Sequence, residues 1–324
     1  MLAKKRGFYR DGKEIIRTPL LLPSFSSKGF PHVQNILKTA EELIDGELLV
    51  SAYDLHHEHL KGPIDFPQAV FLDSGGYEAS RDVELSDIRS DEHTPKPWLL
   101  EDYQAVVSAW SSTRPTVLVS YDHPKDRIPV VDQIARAADT MPIRSDTFRE
   151  ILFKPDAKDA EDTNITAIVA NIHKLVPFDA VGVTEKEIGG NQQARMGNIA
   201  RIRRALNDAG LGNKPIHVFG SLDTISTPLY FVAGADIFDG LTWLRFAYYK
   251  GMTIYRQNYA ALKYGTQFKS RLVEAQCAFD NYYYMKQMQL EMRTFLGNHS
   301  FDSFSCHREL IKVAHSAAVE ATEV

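Results

Sequence analysis

Short apolar runs at near-regular intervals constrain the fold of this chain more than any other feature. "LLLPSF" (20–25), "ELLVSAYDL" (47–55), "AVFLDSGG" (69–76) and "TVLVSYDHP" (116–124) come first, and "ITAIVANI" (165–172), "AVGVTEKE" (180–187), "IHVFGSL" (216–222) and "DIFDGLT" (236–242) follow. Each has strand length and little alternation, the pattern of a strand covered on both faces. The segments between them suit helices. "HVQNILKTAEELI" (32–44) carries apolar residues at helical spacing, and "ARMGNIARIRRALNDAG" (194–210) sets Met196, Ile199, Ile202 and Leu206 on one stripe before Gly210. Strands alternating with helices in this number predict an α/β fold, a closed parallel (β/α)8 TIM barrel. The alternative is an open doubly wound sheet; its dinucleotide version would carry a G-x-G-x-x-G, which this sequence does not contain.

With 324 residues, 44% of them apolar, the chain can bury a core of that size. Ahead of the barrel, "GFYRDGKEIIR" places Asp11-Gly12 between two extended pieces, a hairpin expected to lid the barrel's lower end. Residues 1–265 are read as the catalytic barrel with this hairpin, and 266–324 as a C-terminal helical module with a long helix over 270–298, a further helix and a loose tail. The net charge of −5 excludes a generally basic coat but leaves room for a local basic groove. The basic cluster "RIRRAL" (201–206) reads as the solvated face of its helix. Two cysteines, the absence of a signal-like N-terminus and the absence of any run near ~18 apolar residues lead us to expect a cytoplasmic protein without a membrane partner.

In such a barrel chemistry collects at the C-terminal ends of the strands. There the third run ends in Asp73, the fourth in Asp122, the sixth in Glu185 and Glu187, and the eighth in Asp239. Acids that converge on one mouth raise one another's pKa and can divide nucleophile and acid roles. Taken singly, each is equally a helix cap. Asp73 and Asp239 stand apart, because both follow apolar residues inside strand ends, where an idle acid is costly to bury.

Six segments, in order, resemble the queuine/archaeosine tRNA-guanine transglycosylases. "TPLLLPSF" (18–25) is similar to that family's T-P-x-F-M-P-V, "DSGGYE" (73–78) to D-S-G-G-[FY]-Q, and "VSYDHP" (119–124) to F-D-x-C-x-P. "AVGVTEKE" is similar to G-G-L-S-V-G-E, "HVFGSLDT" (217–224) to L-M-G-V-G-x-P, and "GADIFDGLTWLR" (234–245) to G-x-D-x-F-D-C-x-x-P-T-R. The resemblance implies the same barrel and a base exchange, in which guanine is cut from its nucleotide while the sugar is held covalently. Asp239 would be the nucleophile and Asp73 the general acid/base. Asp122 would accept from the base's N–H groups, and Ser74, Gly75, Gly76, Gly182, Val183 and Gly220 would line it, the Gly-Gly turn letting a flat base approach the backbone. Tyr77 and Phe219 would stack on its faces, and Arg245 would hold a phosphate, with Lys250 and Arg256 as further phosphate candidates.

Departures from the family pattern shape the expected substrate. The fifth-strand glutamine has no counterpart in "IVANIHK", which offers Ala170 and Asn171; Gly240 replaces a cysteine, and Trp243-Leu244 replace Pro-Thr. The zinc motif C-x-C-x-x-C is missing, and Cys277, Cys306 and His307 stand in its place as a reduced structural zinc site, with His299 or Asp280 as fourth ligand; otherwise both cysteines are packing residues. His56, His57 and His59 lack H-E-x-x-H spacing and read as a polar loop near the mouth. No organic cofactor is expected. The trimmed module and altered phosphate side favour DNA as the polymer and a 7-deazaguanine such as preQ0 as the incoming base. The alternatives are a tRNA enzyme, a non-catalytic nucleic-acid-binding subunit and an unrelated two-carboxylate barrel hydrolase; a homodimer is compatible with the first three.

Overall fold

The computed structural model describes residues 2–81 and 93–320. An antiparallel hairpin, β1 (Gly7–Arg10) and β2 (Lys13–Arg17), turns through Asp11 and Gly12, both at positive φ. Eight parallel strands then close a barrel: β3 (Leu20–Phe25), β4 (Leu48–Ser51), β5 (Val70–Asp73), β6 (Thr116–Val119), β7 (Thr147–Phe153), β8 (Ala180–Thr184), β9 (Ile216–Phe219) and β10 (Ile237–Gly240), the last pairing with β3. The expected TIM barrel is therefore the fold of this protein.

One strand lies elsewhere than the sequence pattern predicts. "ITAIVANI" is a helix, Ile165–Ala170, followed by a short 3-10 turn, and the fifth barrel strand is β7, "TFREILF". Asn164 explains the helix: its side chain accepts from the Ala167 N–H at 3.0 Å, an N-cap that a buried strand would not carry. Arg149 and Glu150 explain why β7 escapes notice, since they break its apolar run although every residue in it is buried.

Along each strand the side chains alternate between two apolar layers. Leu20, Leu22, Leu49, Phe71, Val117, Val119, Phe148, Leu152 and Ile237 fill the barrel's interior, and Phe8 and Ile16 of the hairpin close its lower end. Phe8 packs its ring on Phe71 and Phe148, at 5.9 and 5.2 Å between centroids. Leu21, Val50, Leu72, Leu118, Val183 and Phe238 face outward into the layer beneath the helices. The long helix Ser270–Asn298 contributes Met285, Met288, Met292 and Phe295 to that same outer layer, so the stretch from 266 onward shares its core with the barrel. A small hairpin, β11 (Ala247–Tyr249) and β12 (Met252–Ile254), is held to this helix by Asn281, which accepts from the Tyr248 N–H at 2.7 Å. A final helix, Arg308–Glu320, takes in the first residue of the expected loose tail "EATEV", and the rest, 321–324, lies outside the described residues.

The basic cluster 201–206 is not uniformly solvated. Arg203 is fully buried, donating to Asp236 Oδ2 at 2.5 Å and to the carbonyls of Gly234 and Lys214. Asp236 also accepts from Arg6 at 3.1 Å and from the Ile216 N–H at 2.9 Å. Outside the lower rim of the barrel, a closed Arg–Asp–Arg network ties the N-terminal segment to the strand start of β10. Arg203→Ala strands these acceptors in the interior and is expected to lower stability by about 3 kcal/mol or more, measured by chemical denaturation.

Candidate active site

Period-two alternation delivers the polar side chains at the upper end as it delivers the apolar ones below. Asp73 follows Phe71 on the inner face of β5, and Asp239 follows Ile237 on β10; Lys154 continues the inner series Phe148, Glu150, Leu152 of β7. Asp73, Asp122, Glu185, Glu187 and Asp239, the acids singled out at the ends of the runs, all line one cavity of about 240 Å³ at the mouth, together with Tyr77, Phe219, Gly220, Lys154, Arg127 and Arg245.

The two carboxylates expected to carry chemistry have opposite surroundings. Asp239 is held on both oxygens: Oδ2 accepts from Ser24 Oγ at 2.7 Å, and Oδ1 accepts from the Gly220 N–H at 3.0 Å and lies 3.3 Å from His217 Nε2. Asp73 Oδ2 has a long contact, 3.4 Å from the Gly75 N–H, while among the described residues Oδ1 is shut from solvent with no hydrogen-bond partner. Burial, and then the charges of Asp122, Glu78 and Asp239, hold the Asp73 carboxyl well above the usual carboxylate range. One acid is met by donors on both oxygens, and the other holds its proton more tightly than an ordinary carboxyl.

The Gly75-Gly76 turn serves the protein's own side chains. Gly75 adopts φ +91°, and a Cβ there would run into Tyr53 and the Trp98 ring nitrogen. A Cβ on Gly76 would overlap the carboxyl group of Asp122. Asp122 can thus sit against the turn, where it accepts from Ser74 Oγ. Tyr77 projects next; its ring lies 4.3 Å under Lys28 Nζ and its hydroxyl accepts from Arg245 at 2.9 Å. Lys28 is itself buried, donating to the carbonyls of Tyr77 and Ser80. Glu78, where the resembling family has glutamine, accepts from Ser26 and Ser51.

Opposite, Lys154 Nζ stands 2.5 Å from Glu187 and 3.8 Å from Asp122, and Arg127 lies 3.4 Å from Glu187. Burial alone would raise Glu187, but Lys154, Thr184 and Arg127 outweigh it and draw its carboxyl below the usual range. Glu185 is half-buried, accepts from Tyr230 at 2.7 Å and is raised mainly by burial. The cavity therefore offers an acceptor in Asp122, a donor in Lys154, and aromatic rings in Tyr77 and Phe219.

Several expected residues fall outside this cavity's lining. Ser74 and Gly75 lie behind it, and Gly182 and Val183 lie within β8 below the rim. Gly182 is nevertheless required, because a Cβ there would press on Phe219 and the Glu150 carboxylate. Lys250 lines a separate cavity beside the long helix, and Arg256 pairs with Glu274 at 3.2 Å, so of the three phosphate candidates only Arg245 reaches the mouth. Ala170 ends a helix and Asn171 caps it, so neither supplies the fifth strand's contribution to the mouth, which comes from Leu152 and Lys154.

The expected zinc ligands are not assembled. Cys277 packs among Ala247, Tyr259, Ala260 and Val273, with burial pushing its thiol up to about 11, whereas Cys306 lines the separate cavity and His307 Nε2 meets the Gly251 carbonyl at 2.6 Å. Asp280 is engaged by Tyr259, Tyr264 and Lys263. Among the described residues no three His, Cys, Asp or Glu side chains are grouped to hold a metal ion. The thiol environment fits packing, and the donor set does not fit zinc. His56, His57 and His59 ring Tyr53 and Trp98 as an aromatic cluster on and just after the helix Ala52–His56.

Sequence reasoning missed Ser24, Lys28, Glu150, Lys154 and His217. Counting by twos from the inward residues Leu22, Phe148 and Phe219 points to Ser24, to Glu150 and Lys154, and to His217; Lys28 lies on no such count. No protein-family model matches the chain, and no curated protein matches it. Among the described residues no helix is long and apolar enough to cross a membrane, and both cysteines are free.

The raised Asp73 carboxyl has a stability consequence. The folded state holds this proton more tightly than the unfolded chain, so its contribution is present at low pH and is lost as pH rises above about 4 toward the folded-state value. Asp73→Asn is therefore expected to be more stable than the parent at pH 7, with the difference vanishing below about pH 4, as followed by thermal melts across pH.

Proposed function

We propose that this protein is a guanine transglycosylase that exchanges guanine in a nucleic acid, DNA in the first instance, for a 7-deazaguanine base such as preQ0. One observation carries the reading: a single barrel mouth presents a carboxylate held by donors on both oxygens beside a second carboxyl whose surroundings favour its proton. A retaining displacement at an N-glycosidic carbon needs this pair. An Asp239 oxygen attacks C1′ as the C1′–N9 bond breaks; the bonding electrons leave with guanine, which takes the proton of Asp73. The incoming base then gives its N9 proton to Asp73 while N9 attacks C1′, and Asp239 is released as a carboxylate. Asp122 accepts from the base's N–H groups, Lys154 donates to its carbonyl edge, and Tyr77 and Phe219 flank its plane. Arg245 stands at the rim for the neighbouring phosphate.

The test is incorporation of radiolabelled guanine or preQ0 into duplex DNA, single-stranded DNA and tRNA in parallel. Label is expected in DNA, with mismatched or unpaired guanines reacting faster than paired ones because part of the flipping cost is already met. Label in tRNA alone would move the assignment to the tRNA reaction. Label in no polymer would reject the exchange. Asp239→Asn and Asp73→Asn are each expected to lower incorporation by about 10³-fold or more while the fold remains intact by circular dichroism. Normal turnover in Asp239→Asn would place the nucleophile elsewhere.

A further inference from the structure

Glu150 and His217 lie in the barrel interior directly beneath Asp239. Neither is exposed to solvent. His217 Nδ1 is 2.9 Å from Glu150 Oε1, and His217 Nε2 is 3.3 Å from Asp239 Oδ1. The imidazole is pinned by Phe219, stacked on it at 3.7 Å between ring centroids, and by the edge of Phe71 at 6.0 Å. Gly182 leaves the room that this arrangement occupies, since a side chain there would meet both Phe219 and Glu150. A charged pair in a barrel core is costly to bury and needs a reason. Neither the apolar packing below nor the lower-rim Arg–Asp network requires it.

We propose that Glu150 and His217 form a positioning pair for Asp239, in which an imidazolium held by Glu150 stands with Nε2 at ion-pair distance from Asp239 Oδ1 and fixes the carboxylate in its reactive orientation. The charge-bearing groups facing His217 are Glu150 from β7 and Asp239 from β10; the rings of Phe71 and Phe219 occupy the flanks. Burial alone would lower His217, but Glu150 and Asp239 outweigh it and raise it to about 9. The pair also answers a problem set by the crowded mouth. The charges of Asp122, Glu78 and Asp239 all bear on the buried Asp73 carboxyl and raise it. Beneath Asp239 stands the His217 imidazole, whereas the apolar ring of Phe71 lies below Asp73 on its strand. When Asp239 becomes an ester its negative charge is gone, and His217 remains neutralised by Glu150, so the covalent state leaves no unpaired ion in the core.

This inference rests on the proposed role of Asp239, and its test separates the two. In the full-length protein, ¹⁵N–¹H spectra of the imidazoles should show His217 protonated on both nitrogens at pH 7.5. Its Nε2 resonance should move in Asp239→Asn, and in Glu150→Gln its midpoint should fall below about pH 7, near that of an ordinary histidine. A neutral His217 at pH 7.5 in the parent protein, or a resonance indifferent to Asp239→Asn, would overturn the pairing whether or not any base is exchanged. In the incorporation assay with radiolabelled guanine, Glu150→Gln should lose roughly tenfold or more in kcat at pH 8, with KM for free guanine nearly unchanged, and recover as pH falls through the new His217 midpoint. Loss that pH does not recover, or no loss, would reject the positioning role. Should Glu150→Gln fail to fold, His217→Gln, which keeps an N–H donor without the charge, should show the kcat loss without acid recovery; parent-like kcat there would reject the role equally. Absence of incorporation by the parent protein would count against the proposed function alone, the spectra then deciding the pairing.

Discussion

A carboxyl group enclosed by protein must either keep its proton or be met by donors, and the upper end of this barrel depends on having one of each. Asp239 has a hydroxyl, a backbone N–H and an imidazole around its two oxygens, while Asp73 has a long contact with the Gly75 N–H and feels the charges of Asp122, Glu78 and Asp239. Much of the surrounding structure follows from keeping these conditions apart across a cavity only a few side chains wide. Ser24 is anchored in the first barrel strand, beside β10, and donates from there to Asp239. The glycine turn after β5 leaves Asp122 the space it needs and keeps it close enough to raise Asp73.

The cations are distributed with the same economy. Lys28 lies under Tyr77 and holds the carbonyls of the short helix that follows the glycine turn. Lys154 and Arg127 draw Glu187 into its charged form on the far wall. Each positive group has a carboxylate, carbonyl or ring beside it, so the mouth can hold many acids without leaving an uncompensated ion in a region that water only partly reaches. The protein's overall negative charge therefore says little about the local field that a phosphate or a base would meet.

The barrel was legible because seven of its eight strands are apolar on both faces, and such runs are bounded cleanly by polar residues. The eighth, β7, was hidden by the residues that matter to the site: Arg149 reaches outward to the carbonyls of Ala137 and Ala138, and Glu150 reaches inward to His217. A strand that carries buried charge looks like a loop to a hydrophobicity pattern, whereas the capped helix at 165–170 looks like a strand when its Asn164 is ignored. The line of acids at the strand ends was legible for the same reason as the barrel, because an acid directly after an apolar run stands out. Lys28 could not be found this way: it belongs to the loop after β3, and only the folded chain brings it beneath Tyr77, far along the sequence. The expected zinc ligands lie apart because Cys277 packs within the long helix whereas Cys306 lies beyond its end, beside a separate cavity.

The hairpin at the N-terminus has a consequence for traffic. With the inner side chains packed below Asp239 and Phe8 and Ile16 wedged into the lower end, the cavity has a solid floor. Whatever occupies the cavity must leave by the door through which it came, and a second occupant of the same shape has to wait outside until the first has gone. Queueing at a single door imposes an order on arrivals and departures that no residue at the mouth has to enforce.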